Sequence, residues 1–155
     1  MKYLIIGGVA GGATAAARIR RLTEDAEIIL FEKGEHISYA NCGLPYYIGG
    51  VIAEREKLLV QTPAGFSQRF NIDVRVNSEV TSIDPKAKTV TVSGPDGTSY
   101  TERYDKLLLS PGASPVKPPL PGIDTDGIFT LRNVADTDII KARVATGDVK
   151  RAVIV

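Results

Sequence analysis

The chain has 155 residues, 19 of them basic and 18 acidic, for a net charge of +1: enough for one ordinary domain with its own core, and too few for two complete ones. So balanced a charge leaves no basic footprint for nucleic acid or an anionic membrane, and a small molecule or another protein is the expected kind of partner. A single cysteine cannot form an internal disulfide, no charged-then-apolar leader precedes the first strand, and no apolar run approaches the roughly 20 residues of a membrane span. A soluble, reducing compartment, most simply the cytoplasm, is the expectation, and no metal site is expected.

Lys2-Tyr3-Leu4-Ile5-Ile6 is a short apolar run of strand formers that leads into Gly7-Gly8-Val9-Ala10-Gly11-Gly12 and then an alanine-rich segment ending at Leu22. Strand, glycine turn and helix is the reading. A second apolar run, Glu27 to Glu32, completes a strand-helix-strand unit of about 30 residues, the size of a parallel crossover. Each part has a physical task in binding a dinucleotide. Glycines permit a tight turn and a close approach of backbone amides to a pyrophosphate, and the helix offers its N-terminal dipole to that anion. Glu32, about 20 residues beyond Gly12, can accept hydrogen bonds from ribose hydroxyls. The middle glycine of a G-x-G-x-x-G pattern falls on Val9, so the loop is an imperfect match.

The only cysteine, Cys42, lies in Ser38-Tyr39-Ala40-Asn41-Cys42-Gly43-Leu44-Pro45-Tyr46-Tyr47. Taken alone, a lone cysteine is more often a small buried hydrophobe than a reactive group. Thr62-Pro63 opens a capped short helix that runs to Phe70. The period then changes to two: Val74, Val76, Val80, Val90 and Val92, with turns at Asp84-Pro85-Lys86 and Gly94-Pro95-Asp96-Gly97, predict an antiparallel meander ending between Tyr100 and Tyr104. A buried strand over Lys106–Leu109 stops at Ser110-Pro111-Gly112-Ala113. Pro115 to Pro121 can be neither helix nor central strand and is expected as a surface crossing or linker. A helix is predicted over 134–144, with Asp136 and Asp138 near its start. Arg151–Val155 has the character of another strand. Ending there resembles the opening of a second nucleotide-binding unit, so the chain is expected to continue into a longer protein.

Five stretches together resemble the flavin-dependent pyridine nucleotide-disulfide oxidoreductases: Ile5–Gly12, Phe31-Glu32-Lys33, Ser38–Tyr46, Leu107–Ala113 and Thr130-Leu131-Arg132-Asn133. Within that family they are most similar to the coenzyme A-disulfide reductase and coenzyme A persulfide (polysulfide) reductase branch, with which Val9 is compatible. The resemblance implies an α/β fold, an FAD/NAD(P)-binding Rossmann-like three-layer domain with a small antiparallel meander. It divides the chain into a first FAD-domain segment (1–114), a Pro-rich linker (115–132) and the truncated start of an NAD(P)H-binding domain (133–155). It carries FAD contacts onto Gly7, Gly8, Val9, Ala10, Gly11, Gly12, Glu32, Lys33, Asn41, Cys42, Val80, Ser110, Pro111, Gly112 and Arg132. Thr14, Arg18, Arg21, Ser38 and Asn41 match positions that contact the coenzyme A part of a substrate; arginines suit phosphates by charge and fork geometry. Arg20 reads equally as the solvated end of the helix, Arg69 is expected to add to the basic mouth, Asn41 can serve as a turn residue, and His36 is expected as a surface loop residue.

By the same resemblance, a hydride from NAD(P)H reaches the flavin, electrons pass to the catalytic Cys42, and its thiolate attacks or resolves a substrate disulfide or persulfide. A thiolate is the reactive form and a helix N-terminus stabilises it, and the segment after Cys42 is read as starting a helix. Dithiol relatives carry a second cysteine five positions on, where this chain has Tyr47, so the partner sulfur is expected from a coenzyme A-type or other small sulfur substrate. Two alternatives stay open: an NADH oxidase or peroxidase cycling through a cysteine sulfenic acid, which Ala10 disfavours because such relatives carry histidine there, and a non-enzymatic nucleotide-binding fragment. The full-length protein is expected to be a homodimer. The piece alone, lacking the later FAD segment, is expected to bind FAD weakly and to be inactive.

Overall fold

In the computed structural model, which describes residues 1–155, the elements follow in the order β1 (Lys2–Ile6), α1 (Gly11–Leu22), β2 (Glu27–Phe31), α2 (Leu44–Ile48), α3 (Pro63–Phe70), β3 (Asp73–Arg75), β4 (Glu79–Asp84), β5 (Thr89–Ser93), β6 (Ser99–Arg103), β7 (Lys106–Leu109) and α4 (Val134–Ala145). The chain forms two units, one of Met1–Tyr39 with Leu59–Gly112 and one of Ala40–Leu58 with Ala113–Val155.

The first unit is built on a parallel sheet of order β3-β2-β1-β7. Its central register sets Ile5 opposite Leu30 on one side and Leu108 on the other. Parallel strands need both faces covered, which is why β1 and β2 are nearly continuous apolar runs. Alternate residues then serve opposite layers. Ile5, Ile28 and Leu30 meet Ala13 and Ala16 of α1 and Phe66 of α3. Leu4, Ile29 and Phe31 meet Val90 and Val92 of the antiparallel sheet β4-β5-β6 on the other face. The result is the expected three-layer α/β arrangement with its meander. One boundary differs from the sequence reading: Val74 lies in β3, which pairs with β2 in parallel, and Val76 packs with the α1 side of the core. The meander begins only at β4. Three residues are too few to declare a period, and pairing partner decides the sheet.

A charged network joins strands of the two sheets. The Arg75 guanidinium donates to Asp73 Oδ2 at 2.7 and 2.9 Å, to Glu102 Oε2 at 2.9 Å and to the Tyr100 hydroxyl at 3.2 Å. It also lies over the Phe31 and Tyr100 rings, 5.5 and 5.7 Å from their centroids. Lys2 Nζ reaches Glu102 at 2.6 Å and Glu27 at 2.8 Å. Arg75 also fixes β2, because its carbonyl accepts the Glu32 N–H at 2.9 Å.

In the second unit, Asn133 caps α4 by accepting from the Asp136 N–H, and Asp136 reciprocates to the Asn133 N–H, a complete capping box. Helices α2 and α4 pack together. Arg55 binds Asp138, with Nη2 to Oδ2 at 2.7 Å, and the Lys141 ammonium donates to the Tyr47 carbonyl at 2.6 Å while standing 3.8 Å from the centre of its ring. The Pro-rich segment forms no regular element and is exposed. Arg151–Val155, expected as a strand, joins no ladder, and Val153, Ile154 and Val155 are exposed; an extended segment without a paired neighbour leaves its backbone to water.

Burial works against the charge of Glu102, but hydrogen bonds from Lys2 and Arg75 more than offset it and hold its carboxyl below the ordinary carboxylate range. A carboxylate so depressed contributes stability that is complete above its unfolded value and lost as pH falls through the folded one. Glu102→Gln is therefore expected to lower stability at neutral pH by roughly 1–2 kcal/mol, the range for a partly exposed charged hydrogen bond. That difference is expected to shrink as pH falls below the ordinary glutamate value of 4.5. Thermal unfolding of both proteins across acid and neutral pH checks this, and a gap independent of pH contradicts it.

Candidate cofactor cradle, groove and cysteine

The glycine loop turns at Gly7, whose φ of +95° is open to glycine at no steric cost. A Cβ on Gly7 would stand 2.0 Å from the Ser110 carbonyl oxygen, and one on Gly12 would stand 1.7 Å from that of Gly7. These glycines let the loop, the start of α1 and the end of β7 come together. Helix α1 opens at Ala10 with no side-chain cap and no acidic residue in its first turn, so its first amide donors and its dipole are left for an anion. Glu32 follows β2 and accepts the Gly8 N–H at 2.8 Å through Oε2 and the Gly34 N–H at 2.9 Å through Oε1. A carboxylate has about four acceptor sites, so Glu32 can hold the loop and still receive hydroxyls. The chemistry of this donor and acceptor set fits a dinucleotide.

Beside the loop, an open groove of about 330 Å³ runs between α1 and α3, the size of a small-molecule site. Ala10, Ala13, Thr14, Ala17 and Arg21 form one helical stripe along one wall, and Phe66 and Phe70 form the other. Ser38 and Gln61 also line it. Ser38 takes a left-handed backbone, φ +45°, uncommon for a residue with a side chain. Its N–H donates to Gly8 O at 3.0 Å, and its carbonyl accepts the Val60 N–H at 2.9 Å and the Gln61 N–H at 3.2 Å.

In the second unit Cys42 is exposed in a 3₁₀ turn, Asn41–Gly43, that runs directly into α2. The turn is tied at its base by the Ala40 N–H to Leu58 O at 2.8 Å, and Gly43 is buried so closely that a Cβ there would meet Leu58, Ala40 and Ile52 within 3.4 Å. Cys42 is therefore not the buried hydrophobe that a lone cysteine usually is. Tyr47, five positions on, is buried within the one-turn helix. The Asn41 Oδ1 is buried without a hydrogen-bond partner, an uncommon state that a ligand donor would relieve.

A family model described as pyridine nucleotide-disulphide oxidoreductase matches residues 1–155. The chain belongs to this family. It is 45% identical, over 155 residues, to a coenzyme A disulfide reductase of Staphylococcus haemolyticus, with 99% of this chain and 34% of that protein covered; it thus spans about a third of the length of the curated relatives it matches. Among solved structures it is similar to reduced CoADR-RHD of Bacillus anthracis, at 57% identity and a TM-score of 0.92, covering 94% of this chain and 27% of that one. It is also similar to an NAD-dependent persulfide reductase from A. fulgidus, at 38% identity and a TM-score of 0.90, covering 95% of this chain and 28% of that one.

As a member of this family the chain places its predicted residues in three groups. Gly7, Gly8, Val9, Ala10, Gly11, Gly12, Glu32, Lys33, Val80, Ser110, Pro111 and Gly112 fall in the first unit, and Asn41, Cys42 and Arg132 in the second. Thr14, Arg21 and Ser38 share the groove, whereas Arg18 is exposed outside its lining. Val80 packs against the meander core, and Arg132 Nε donates to the Ala113 carbonyl at 2.7 Å. Arg69 is outside the groove lining, its guanidinium 5.3 Å above the Phe70 ring. Gln61 and the aromatic wall went unassigned in the sequence; the spacing of Phe66 and Phe70, four apart, was the available signal.

The packing at the loop separates two neighbouring glycines. Gly12→Ala drives a methyl into a backbone oxygen and is expected to destabilise by roughly 3 kcal/mol, the upper end for overpacking. Gly11→Ala meets only the Ser110 side chain, closely only at Oγ, 2.5 Å, which can rotate away, so its expected cost is within about 1 kcal/mol. Chemical unfolding of the two variants checks the contrast, and equal losses contradict it.

Proposed function

We propose that the protein built on this chain is an FAD-dependent NAD(P)H:disulfide oxidoreductase that reduces coenzyme A disulfide, or a coenzyme A persulfide or polysulfide, through Cys42. The observation that carries the reading is the exposed Cys42 at the head of α2 with Tyr47, not a second cysteine, five residues on. No second cysteine stands five residues on to close a local disulfide, so in this reading the partner sulfur comes with the substrate.

In this reading the amides of the glycine loop and of the start of α1 would hold the pyrophosphate, Glu32 would receive the ribose hydroxyls, and Ser110 and Pro111, packed against that loop, would contact the cofactor together with Gly112. When bound, FAD supplies the relay of two electrons from NAD(P)H to sulfur. Cys42 attacks one sulfur of the substrate disulfide as a thiolate, forming a mixed disulfide and releasing the other half as a thiolate that takes up a proton. Asn41, with its unpartnered Oδ1, offers an acceptor beside that sulfur. Thr14, Arg21 and Ser38 hold the coenzyme A arm in the α1–α3 groove, with Arg18 contributing charge toward its phosphates. Residues 1–114 are the first FAD-domain segment, 115–132 a linker and 133–155 the opening of the NAD(P)H domain, in a protein that works as a homodimer.

Cys42→Ser in the full-length protein tests the assignment. Disulfide and persulfide turnover are expected to fall by roughly a thousandfold or more, as for the loss of a catalytic nucleophile, while flavin content and NAD(P)H-dependent flavin reduction are kept. Turnover that survives with normal flavin content contradicts Cys42 as the nucleophile. Oxygen consumption that outpaces coenzyme A disulfide reduction in the wild type would favour the oxidase reading instead.

A further inference from the structure

Arg20 lies on the last turn of α1, one residue before Arg21, and its guanidinium spends its donors on backbone carbonyls. Nε donates to Phe70 O at 2.8 Å, Nη2 to Asn71 O at 2.6 Å, and Nη1 to Glu24 O. The two residues it reaches on α3 end that helix: Asn71 is its left-handed C-cap, φ +48°, and its N–H returns to Ser67 O. Arg20 therefore does not end as a solvated helix tip. It ties the C-terminal turn of α1 to the C-terminal turn of α3, beside the Arg21 and Phe70 lining of the groove. The planar fork of a guanidinium suits this task, because it fixes several acceptors in one geometry where a lysine would offer a single mobile point. The residue it holds, Phe70, is also the groove wall facing Thr14, Ala17 and Arg21. Its ring is braced by Phe66, 4.8 Å between centroids, and by the Arg69 guanidinium on its face.

We propose that Arg20 is a positioning residue for the substrate: acting through Phe70, it sets the width of the α1–α3 groove and so the fit of the coenzyme A arm, without touching the substrate itself. This rests on reading the groove as the channel for that arm. Two features make the width matter. Three of the five stripe positions on the α1 wall are alanine, and those cannot swing side chains in to follow a wall that moves away. The facing wall is a large ring, whose contacts fall off steeply once a gap opens.

The test uses the full-length flavoprotein and two substrates, coenzyme A disulfide and hydroxyethyl disulfide, which has no arm to fill the groove. Arg20→Met is expected to lower the ratio of kcat/KM for coenzyme A disulfide to that for hydroxyethyl disulfide by roughly tenfold, the equivalent of one good charged hydrogen bond, with the loss in KM. Arg20→Lys is expected to give most of the same loss, because it keeps the charge and discards the fork; it decides the matter if the methionine variant does not accumulate. An unchanged ratio in a variant that retains its flavin overturns the proposal, even if thermal stability falls, since that is the mark of a role in the fold alone. Arg21→Met separates the role of Arg20 from the role of the groove. If it raises KM for coenzyme A disulfide and the Arg20 variants do not, the positioning role alone fails. If neither position affects that KM, the groove is not the channel and the proposal fails with it.

Discussion

The approach of Gly12 to the Gly7 carbonyl, close enough that a Cβ would stand 1.7 Å from the oxygen, is the constraint on which the first unit depends. It seats the start of α1 directly on the turn that leaves β1. With the helix there, uncapped and free of acidic residues in its first turn, its amides and dipole face the same end of the sheet as the Glu32 carboxylate, and that carboxylate braces the loop through the Gly8 N–H. Uncapped amides and a carboxylate with acceptor sites to spare thus come from one backbone arrangement. The departure at Val9 is harmless to this arrangement, because the close contacts fall on Gly7, Gly8, Gly11 and Gly12, while Val9 faces the groove.

The same helix serves a second surface. Its sheet-facing side buries Gly12, Ala13 and Ala16, and the stripe from Ala10 to Arg21 forms a groove wall. Small residues on both sides let one helix lie close to the sheet and still leave room opposite α3. Arginine then divides its duties by position: Arg21 faces the groove, Arg18 faces solvent and Arg20 binds the α3 carbonyls. In the second unit, α4 holds the helix that follows Cys42 through Lys141 on Tyr47, and the turn beyond that helix through Asp138 on Arg55. Tyr47 thereby has a structural task at the position where a dithiol relative carries sulfur.

What could be seen in the sequence was local. The strand-glycine-helix unit, the distance to Glu32, the Thr62 cap and the helix after Asn133 are written in adjacent residues, and they appear with the expected types and nearly the expected bounds. The parts that escaped depend on partners far along the chain. Val74 alternates like a meander residue, yet its strand joins β2 in parallel. Arg20 looks like any charge on the wet end of a helix, and only the placement of α3, some 50 residues later, turns it into a clamp. Arg75 likewise gives no local hint that it will lie over Phe31 and bind Glu102. The groove belongs to this second kind: Thr14, Arg21 and Ser38 were named from a family likeness, but Gln61 and the Phe66–Phe70 wall become visible only when α3 is packed against its neighbours.

In the proposed reaction one thiol, Cys42, exchanges with a sulfur carried by the substrate. Mass spectrometry of the full-length protein after exposure to coenzyme A disulfide, without reductant, tests it most directly. A single adduct of one coenzyme A half is expected, mapped to the peptide that contains Cys42 and removed by NAD(P)H. An unmodified Cys42 in protein that still turns over coenzyme A disulfide would contradict it.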